Sequence, residues 1–171
     1  NVITLNGKPD YDVEVFAGDR LRMRLLNAAN ARIMAMEFAG HSPIIVALDG
    51  QPVTPFAPDG NVVLLAPSQR ADVVLDMTGD VGTKSKMLVL TQREKIHIGN
   101  LTYHASKLRR PKPLSDMFVL PPNPMPSELD LGNAIETDLV MTGGAMGTMS
   151  SARFKGQDYA IRDLVRQHAK V

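Results

Sequence analysis

Residues 20–25 alternate strictly between arginine and an apolar side chain, and this alternation constrains the fold more than any other feature of the sequence. Successive side chains of a β-strand point to opposite faces, so Leu21, Met23 and Leu25 share one face of the predicted strand. The opposite face carries Arg20, Arg22 and Arg24. We therefore predict a half-buried strand with its arginines outside, because a shift of one residue would exchange the two faces.

Further short stretches with strand character follow at intervals of about ten residues, and turn signals separate them. Residues 44–48, for example, are a continuous apolar run that ends at the turn dipeptide Asp49-Gly50. No helical periodicity of useful length interrupts the series, which argues against βαβ units. We predict an all-β, antiparallel Greek-key sandwich of roughly seven or eight strands for residues 1 to about 105. The predicted strands cover residues 12–15, 20–25, 34–38, 44–48, 62–65, 71–76 and 87–91.

Two details of this sandwich are open to direct comparison with a structure. We expect the dipeptide Gly99-Asn100 to form a hairpin turn after the strand at residues 87–91. The strand patterns also predict which side chains are buried in the core. These side chains are Leu21, Met23, Leu25, Met36, Phe38, Ile45, Val46, Val73, Leu75, Leu88 and Leu90.

The composition changes after the predicted sandwich, since half of the 12 prolines fall between residues 111 and 126. Such a stretch is excluded from the interior of a sheet and should run extended along a surface as a semi-rigid connector. A short strand follows at residues 139–141, and an amphipathic helix with Asp158 as its N-cap is predicted near residues 161–168. We predict a sandwich at residues 1–106, a linker at 107–136 and a further segment at 137–171.

Composition and charge exclude several classes of function. The net charge is +1 and aromatic residues make up 5% of the chain, so we expect neither a nucleic-acid nor a membrane partner. No apolar run approaches the roughly 18 residues of a membrane-spanning helix. The absence of cysteine excludes disulfides, thiolate metal sites and iron–sulfur clusters.

The histidines and methionines are the candidate metal ligands. His41, His97, His104 and His168 show neither the His-x-His nor the His-x-x-x-His spacing that places two imidazoles on one ion, so we interpret them as unrelated histidines. The other candidates, in a glycine-rich loop, are Met141, Met146 and Met149. Their thioethers suit Cu(I), but methionine also fills irregular gaps in packing, and we favour this second interpretation.

Catalytic motifs are missing from the sequence. The serines lack a Gly-x-Ser-x-Gly elbow, and Gly143, Gly144 and Gly147 do not lead from a strand into a helix as a phosphate loop does. Asp72 and Asp76 lie on the polar side of a predicted strand, where a solvated surface is the usual interpretation. We therefore predict no catalytic, cofactor-binding or metal-binding residue in this chain.

Several short motifs nevertheless occur in a specific order. They are Leu5-Asn6-Gly7, the stretch from Phe16-Ala17-Gly18-Asp19 to Asn27, Phe38-Ala39-Gly40-His41, Ala47-Leu48-Asp49-Gly50, and Ala66-Pro67-Ser68-Gln69-Arg70-Ala71-Asp72. This ordered set resembles the second cupredoxin-like domain of the three-domain multicopper oxidases, the group of laccases and bacterial copper-resistance oxidases. The resemblance covers roughly residues 3 to 95. Residues 139–144 also look like the opening strand of that family's third domain.

This resemblance implies a fold and a role. The fold is a cupredoxin-like Greek-key sandwich, and the role is that of a middle domain between the first and third cupredoxin domains of one polypeptide. The intact protein would couple one-electron oxidation of a phenol or a metal ion to reduction of O2 to water, in the periplasm or outside the cell. Its copper ligands would lie outside this chain, which alone would not be an enzyme. His41 occupies a position that the family often fills with histidine, but it is not a copper ligand there.

Two other functions stay open at this stage. One is a copper-free relative that serves as an envelope scaffold. The other is a free-standing sandwich that binds partners at a sheet edge, and the predicted strand and helix after residue 130 argue against it. Because neither terminus carries a targeting signal or a helix cap, we expect the chain to be a piece of a longer protein. The strand at residues 139–141 would then lack its neighbours, so we expect the C-terminal segment to be mobile or to pair with a second copy.

Overall fold

A computed structural model describes residues 2–111, 114–124, 130–134, 139–142, 151–154 and 157–159. The chain divides into two compact units, Asn1–Met125 and Pro126–Val171. No helix within the described ranges is long and apolar enough to cross a membrane.

The first unit is a sandwich of two β-sheets, which confirms the predicted fold class. One sheet has five strands in the order β1-β9-β8-β3-β6, and the other has four in the order β2-β7-β4-β5. Strand β1 runs parallel to β9, whereas the other paired neighbours are antiparallel. The strands are β1 (Val13–Ala17), β2 (Arg20–Leu26), β3 (Met34–Phe38), β4 (Ile44–Leu48), β5 (Gln51–Phe56), β6 (Val62–Leu65), β7 (Arg70–Asp76), β8 (Lys84–Leu90) and β9 (Lys95–Leu108).

The alternation in β2 sets the register of the four-stranded sheet. Leu21, Met23 and Leu25 pair with Leu75, Val73 and Ala71 of β7. These pairs point into the core between the sheets, where Leu25 is buried and Leu21 and Met23 are half-buried. The arginines of β2 lie on the outer face, as the sequence predicts.

The core consists of apolar side chains from the inner faces of both sheets. Burial of this apolar surface is the main stabilising contribution to a sandwich of this size. Its buried members include Val15, Met36, Phe38, Ile45, Val63, Leu65, Val73, Leu75, Met77, Met87, Val89, Ile98, Leu101 and Tyr103.

The predicted burial of Leu88 and Leu90 in β8 is wrong by one position. Met87 and Val89 are the buried residues, and the two leucines are half-buried on the outer face. Residues 87–90 are all apolar and show no alternation by themselves, but the strand begins at Lys84, and Lys84 and Lys86 share the outer face with the two leucines.

The predicted hairpin at Gly99-Asn100 is also wrong, because both residues lie inside the long strand β9. Met87 pairs with Gly99 but Leu88 pairs with His97, so the ladder contains a β-bulge at this point. Gly99 has φ +153°, and a Cβ atom there would lie 1.9 Å from the carbonyl oxygen of Tyr11. The glycine therefore permits a close approach of two backbones and a bulge rather than a turn.

The structure has nine strands in the sandwich where we predicted seven or eight. The additional edge strand β5 contains Pro52 and Pro55, which remove two backbone donors and hide the strand pattern. An edge strand tolerates these prolines because the backbone groups on its outer side form no hydrogen bonds with a neighbouring strand. Strand β5 follows β4 through Asp49 and Gly50, with φ +48° and +85°, as a two-residue hairpin turn requires.

The second unit contains three antiparallel strands, β10 (Leu139–Thr142), β11 (Ser151–Phe154) and β12 (Gln157–Tyr159). The predicted strand at 139–141 is present as β10. It pairs with β11, so the expectation that it would lack a neighbour is wrong. The sequence did not predict β11, because a strand of four residues is too short to show a pattern. Asp158, the predicted N-cap, lies in β12. The predicted helix at 161–168, Met146 and Met149 fall outside the described residues.

Candidate functional site

The buried histidine of the sandwich, His41, is 7% exposed and belongs to a hydrogen-bonded relay. Its Nδ1–H donates to the carbonyl oxygen of Ala39 at 3.0 Å, and the Tyr103 hydroxyl donates to its Nε2 at 2.6 Å. The Gly79 N–H donates in turn to the Tyr103 oxygen at 3.0 Å. A carbonyl oxygen can only accept, so Nδ1 carries a proton, and in the neutral ring Nε2 is then the acceptor for the Tyr103 hydroxyl.

Burial disfavours the charged forms of both rings in the relay. It lowers the pKa of His41, against a smaller opposing contribution from Ala39, and it raises the pKa of Tyr103. Both groups are therefore neutral near pH 7. Both His41 ring nitrogens are used within the fold, so this histidine acts as a cross-link between the chain near residue 41, β9 and Gly79.

The other described histidines lie on the surface in different settings. His97 faces two oxygen atoms, Asp10 Oδ1 at 3.2 Å from Nδ1 and Asn100 Oδ1 at 3.0 Å from Nε2. His104 stacks on Phe16 with 5.1 Å between the ring centroids. His168 lies outside the described residues.

A copper centre needs several imidazole or sulfur donors that converge on one point. Across the part of the chain that the structure describes, no three histidine, cysteine or acidic side chains lie close enough together to hold a metal ion. The described donors therefore do not fit a copper site. Met141 lies in β10, and the methionine loop as a whole is not tested by the described residues.

The outer face of the four-stranded sheet has the most organised polar surface. We call it the charged face, and it is formed by Arg20, Arg22, Arg24, Asp72 and Asp76. The Arg20 guanidinium holds the Asp76 carboxylate in a bidentate ion pair, with distances of 2.6 Å and 2.8 Å. Arg22 Nε donates to Asp72 at 2.9 Å, whereas Arg24 lies 3.8 Å from the same carboxylate. Two strands thus carry a ladder of paired charges.

Residues 114–124, which we call the strap, lie along this charged face. Arg20 donates from Nη2 to the carbonyl oxygen of Leu114 at 2.8 Å and from Nη1 to that of Asp116. The same guanidinium therefore binds the strap and Asp76 together. The proline-rich stretch has no strand among its described residues, and it runs along a sheet surface as predicted.

Two further contacts hold the strap along its length. The Arg22 guanidinium lies 6.0 Å from the ring centroid of Phe118, at the outer limit of a cation–π contact. The Asn123 side-chain amide donates to the Gln51 side chain of edge strand β5. The strap thus crosses the charged face from β2 to β5, and its first part lines a cleft with Val74 and Ile44.

Comparison with known proteins decides the family. The sequence profile described as multicopper oxidase matches residues 1–102. The chain belongs to the multicopper oxidase family. Named relatives include Laccase-8 of Oryza sativa subsp. japonica, 32% identical over 92 residues, and Cell division protein FtsP of Edwardsiella tarda (strain FL6-60), 35% identical over 78 residues. These alignments cover 48% and 46% of this chain, and 16% of each relative.

Solved multicopper oxidases share the fold. Lac15 from a marine microbial metagenome matches with a TM-score of 0.57 and 33% identity, over 67% of this chain and 30% of that one. The multi-copper oxidase of Pseudomonas thermotolerans matches with a TM-score of 0.62 and 26% identity, over 78% of this chain and 30% of that one. The chain thus spans about a third or less of the length of these relatives.

Two features of the sandwich, one on its surface and one buried, were not predicted from the sequence. The arginine alternation predicted that Arg20 points outward, but not that it binds the strap. His41 was interpreted as an unrelated histidine, and no sequence signal linked it to Tyr103, which lies 62 positions away.

Proposed function

We propose that this chain is the non-catalytic middle domain of a longer multicopper oxidase, where it spaces and supports the copper-bearing domains. The observation that carries the proposal is the family match over residues 1–102, combined with described donors that do not converge. The length of the relatives also supports it, because the solved multicopper oxidases are about three times longer than their match to this chain.

The strap contributes a structural role to this proposal. The sandwich at residues 1–106 would continue through the linker at 107–136 to the beginning of a third domain at 137–171. Arg20, Arg22 and Gln51 fix the first half of that linker on the charged face. A fixed path lowers the conformational entropy of the linker and so defines the direction in which the chain continues.

The complete protein would oxidise a reducing substrate, a phenol or a metal ion, one electron at a time. Four such electrons and four protons reduce one O2 to two waters. The copper ions that carry these electrons would be held by residues outside this chain, and we propose a periplasmic or extracellular location on the basis of the family.

The test is made on the longer polypeptide encoded with this chain. The proposal predicts His-x-His and His-Cys-His segments in the flanking sequence, several bound copper ions per purified protein, and O2 uptake with a phenol or Cu(I). A longer polypeptide without these segments, without copper and without O2 uptake would contradict it.

A longer polypeptide without copper and without O2 uptake is the outcome expected for a second candidate function, a copper-free scaffold of the cell envelope. It is favoured by the 35% identity to the cell division proteins of Edwardsiella tarda and Yersinia pestis, each over 78 residues. The same metal analysis and O2 measurement therefore separate the two candidates.

A further inference from the structure

The outer face of the five-stranded sheet carries a group of apolar side chains at its β6 edge. We call it the apolar face, and it consists of Ile33, Ala35, Val62, Leu64, Leu88 and Leu90. The strand pairing places these residues side by side. Leu64, Ala35 and Leu90 form one row across β6, β3 and β8, and Val62, Glu37 and Leu88 form the next.

The apolar face is accessible in the sandwich. Ile33 and Leu64 are each 63% exposed, and the other members are half-buried by their neighbours in the sheet. The charge within the second row, Glu37, is paired with Lys95 at 2.7 Å. The surface therefore offers apolar contact area with its charge already neutralised, so a charged partner would gain little from it.

The area of this face restricts what can bind it. The face has two rows of three residues. Each residue occupies about 4.8 Å across the sheet and about 7 Å along its strand, so the six cover roughly 200 Å². A stable complex between separate molecules buries roughly 800 Å² per partner, so the face is too small to hold a second copy of the chain by itself. A tethered domain needs less area, because its effective concentration is in the millimolar range and the entropy of association is largely removed.

We propose that the apolar face docks against the apolar surface of another domain of the same polypeptide. The inference rests on the proposed function, since it requires the longer multicopper oxidase. It deepens that proposal by assigning the contact to β6, β3 and β8. The charged face is excluded from this role near the strap, because residues 114–124 of the chain already occupy it.

Carbene footprinting with a soluble diazirine tests the proposal, because carbenes insert into exposed side chains. Labelling at Leu64 and Leu90 is measured by mass spectrometry in the 171-residue chain and in the longer polypeptide. We expect at least a three-fold lower labelling of both leucines in the longer polypeptide. Leu26, which is 60% exposed on the other sheet, is the internal control and should change by less than a factor of 1.5.

Three outcomes would overturn the proposal. Equal labelling of Leu64 in both proteins would show that no other domain covers the face. Protection in the monomeric 171-residue chain would show that the chain covers it from within. Protection that increases with chain concentration, together with dimers in sedimentation, would identify a second copy as the occupant.

Copper content and O2 uptake of the same samples keep this test separate from that of the proposed function. Protection of Leu64 in a longer polypeptide without copper would support the docking surface and reject the oxidase. An exposed Leu64 in a longer polypeptide that binds copper and takes up O2 would reject the docking surface and support the oxidase. The double variant Ile33→Ser, Leu64→Ser, in which both replaced side chains are 63% exposed, should restore the labelling of Leu90 without changing the melting temperature of the 171-residue chain.

Discussion

The two outer faces of the sandwich have opposite chemistry although they belong to sheets of similar size. The charged face has guanidinium and carboxylate groups at regular spacing, and residues 114–124 lie on it. The apolar face has one paired charge, and Leu64 and Ile33 at its edge are exposed. A surface ladder of charges can thus bind a chain segment through its carbonyl groups, whereas an apolar surface offers area without fixed geometry.

Among the substitutions of surface residues, the largest effect is expected for Arg20→Ala on the charged face. The variant removes a bidentate ion pair and two hydrogen bonds to the strap from a side chain that is 16% exposed, which should lower the free energy of unfolding by about 2 kcal/mol. Thermolysin should then cleave within residues 114–124 faster than in the wild type. Urea unfolding and mass spectrometry of the digest measure the two effects.

Arg24→Ala is the matched control for this comparison. Arg24 is 76% exposed and lies 3.8 Å from Asp72, so its removal should change stability by less than about 0.5 kcal/mol. Equal losses in the two variants would show that the arginine ladder stabilises the sheet by its general charge and not by holding the strap.

A smaller effect is expected for Phe118→Ala within the strap. The ring is half-buried against the charged face beneath the Arg22 guanidinium, so the loss should be about 1 kcal/mol. Its neighbour Val119 is exposed, and Val119→Ala should be neutral. A neutral Phe118→Ala, measured by urea unfolding, would reject a packing role for the strap.

Acid should weaken the polar end of the five-stranded sheet. Asp12 accepts hydrogen bonds from Lys84 at 2.8 Å and from Asn100 at 2.7 Å, and chiefly the Lys84 contact lowers its pKa from 3.8 to about 2. As the pH falls, the Asp12 carboxylate is therefore protonated in the unfolded chain before it is protonated in the folded protein. The contribution of Asp12 to the free energy of unfolding is present above pH 4 and is lost as the pH falls towards 2.

The variant Asp12→Asn isolates this contribution. Its stability, measured by urea unfolding between pH 2 and pH 5, should depend less steeply on pH below 4 than that of the wild type. Identical slopes for the two proteins would show that the Asp12 carboxylate does not sense its neighbours in the folded state.

The smallest effect is expected on the apolar face. Leu64→Ser should change the stability of the 171-residue chain by less than about 0.5 kcal/mol, because the side chain is exposed. The adjacent Leu65 points into the core, and Leu65→Ala should cost about 3 kcal/mol. Thermal and urea unfolding of both variants measure this contrast, and a large loss at Leu64 would show that the face is already covered.

The same comparison explains what could be predicted from the sequence. From Arg20 to Arg24 of β2, every second residue is an arginine. Only one register therefore places the apolar side chains in the core and the arginines in solvent, and this register can be predicted from the sequence. In β8, residues 87–90 taken alone satisfy either register, and Lys84 and Lys86, which lie outside the predicted strand, share the outer face with Leu88 and Leu90. Leu88 and Leu90 were assigned to the core because they are apolar, but they lie on the outer face. The same two side chains form part of the apolar face.

Long-range contacts were the part that the sequence did not reveal. Arg20 and Leu114 lie 94 positions apart, and the guanidinium recognises a backbone carbonyl that every residue has. The bulge at Gly99 likewise depends on the approach of Tyr11, which no local pattern encodes. The family resemblance predicted the fold correctly because it rests on turns and strand ends, which are local features.

The proposed role, a middle domain that supports copper-bearing domains, requires that this chain has no tight copper site of its own. The most direct measurement is the copper content of the 171-residue chain after dialysis against Cu(II) and desalting. We predict well under one copper per chain and no blue absorption, because the described histidines lie in separate surroundings. One tightly bound copper per chain would contradict the claim, and its loss in the variant Met141→Leu, Met146→Leu would assign it to the methionine loop.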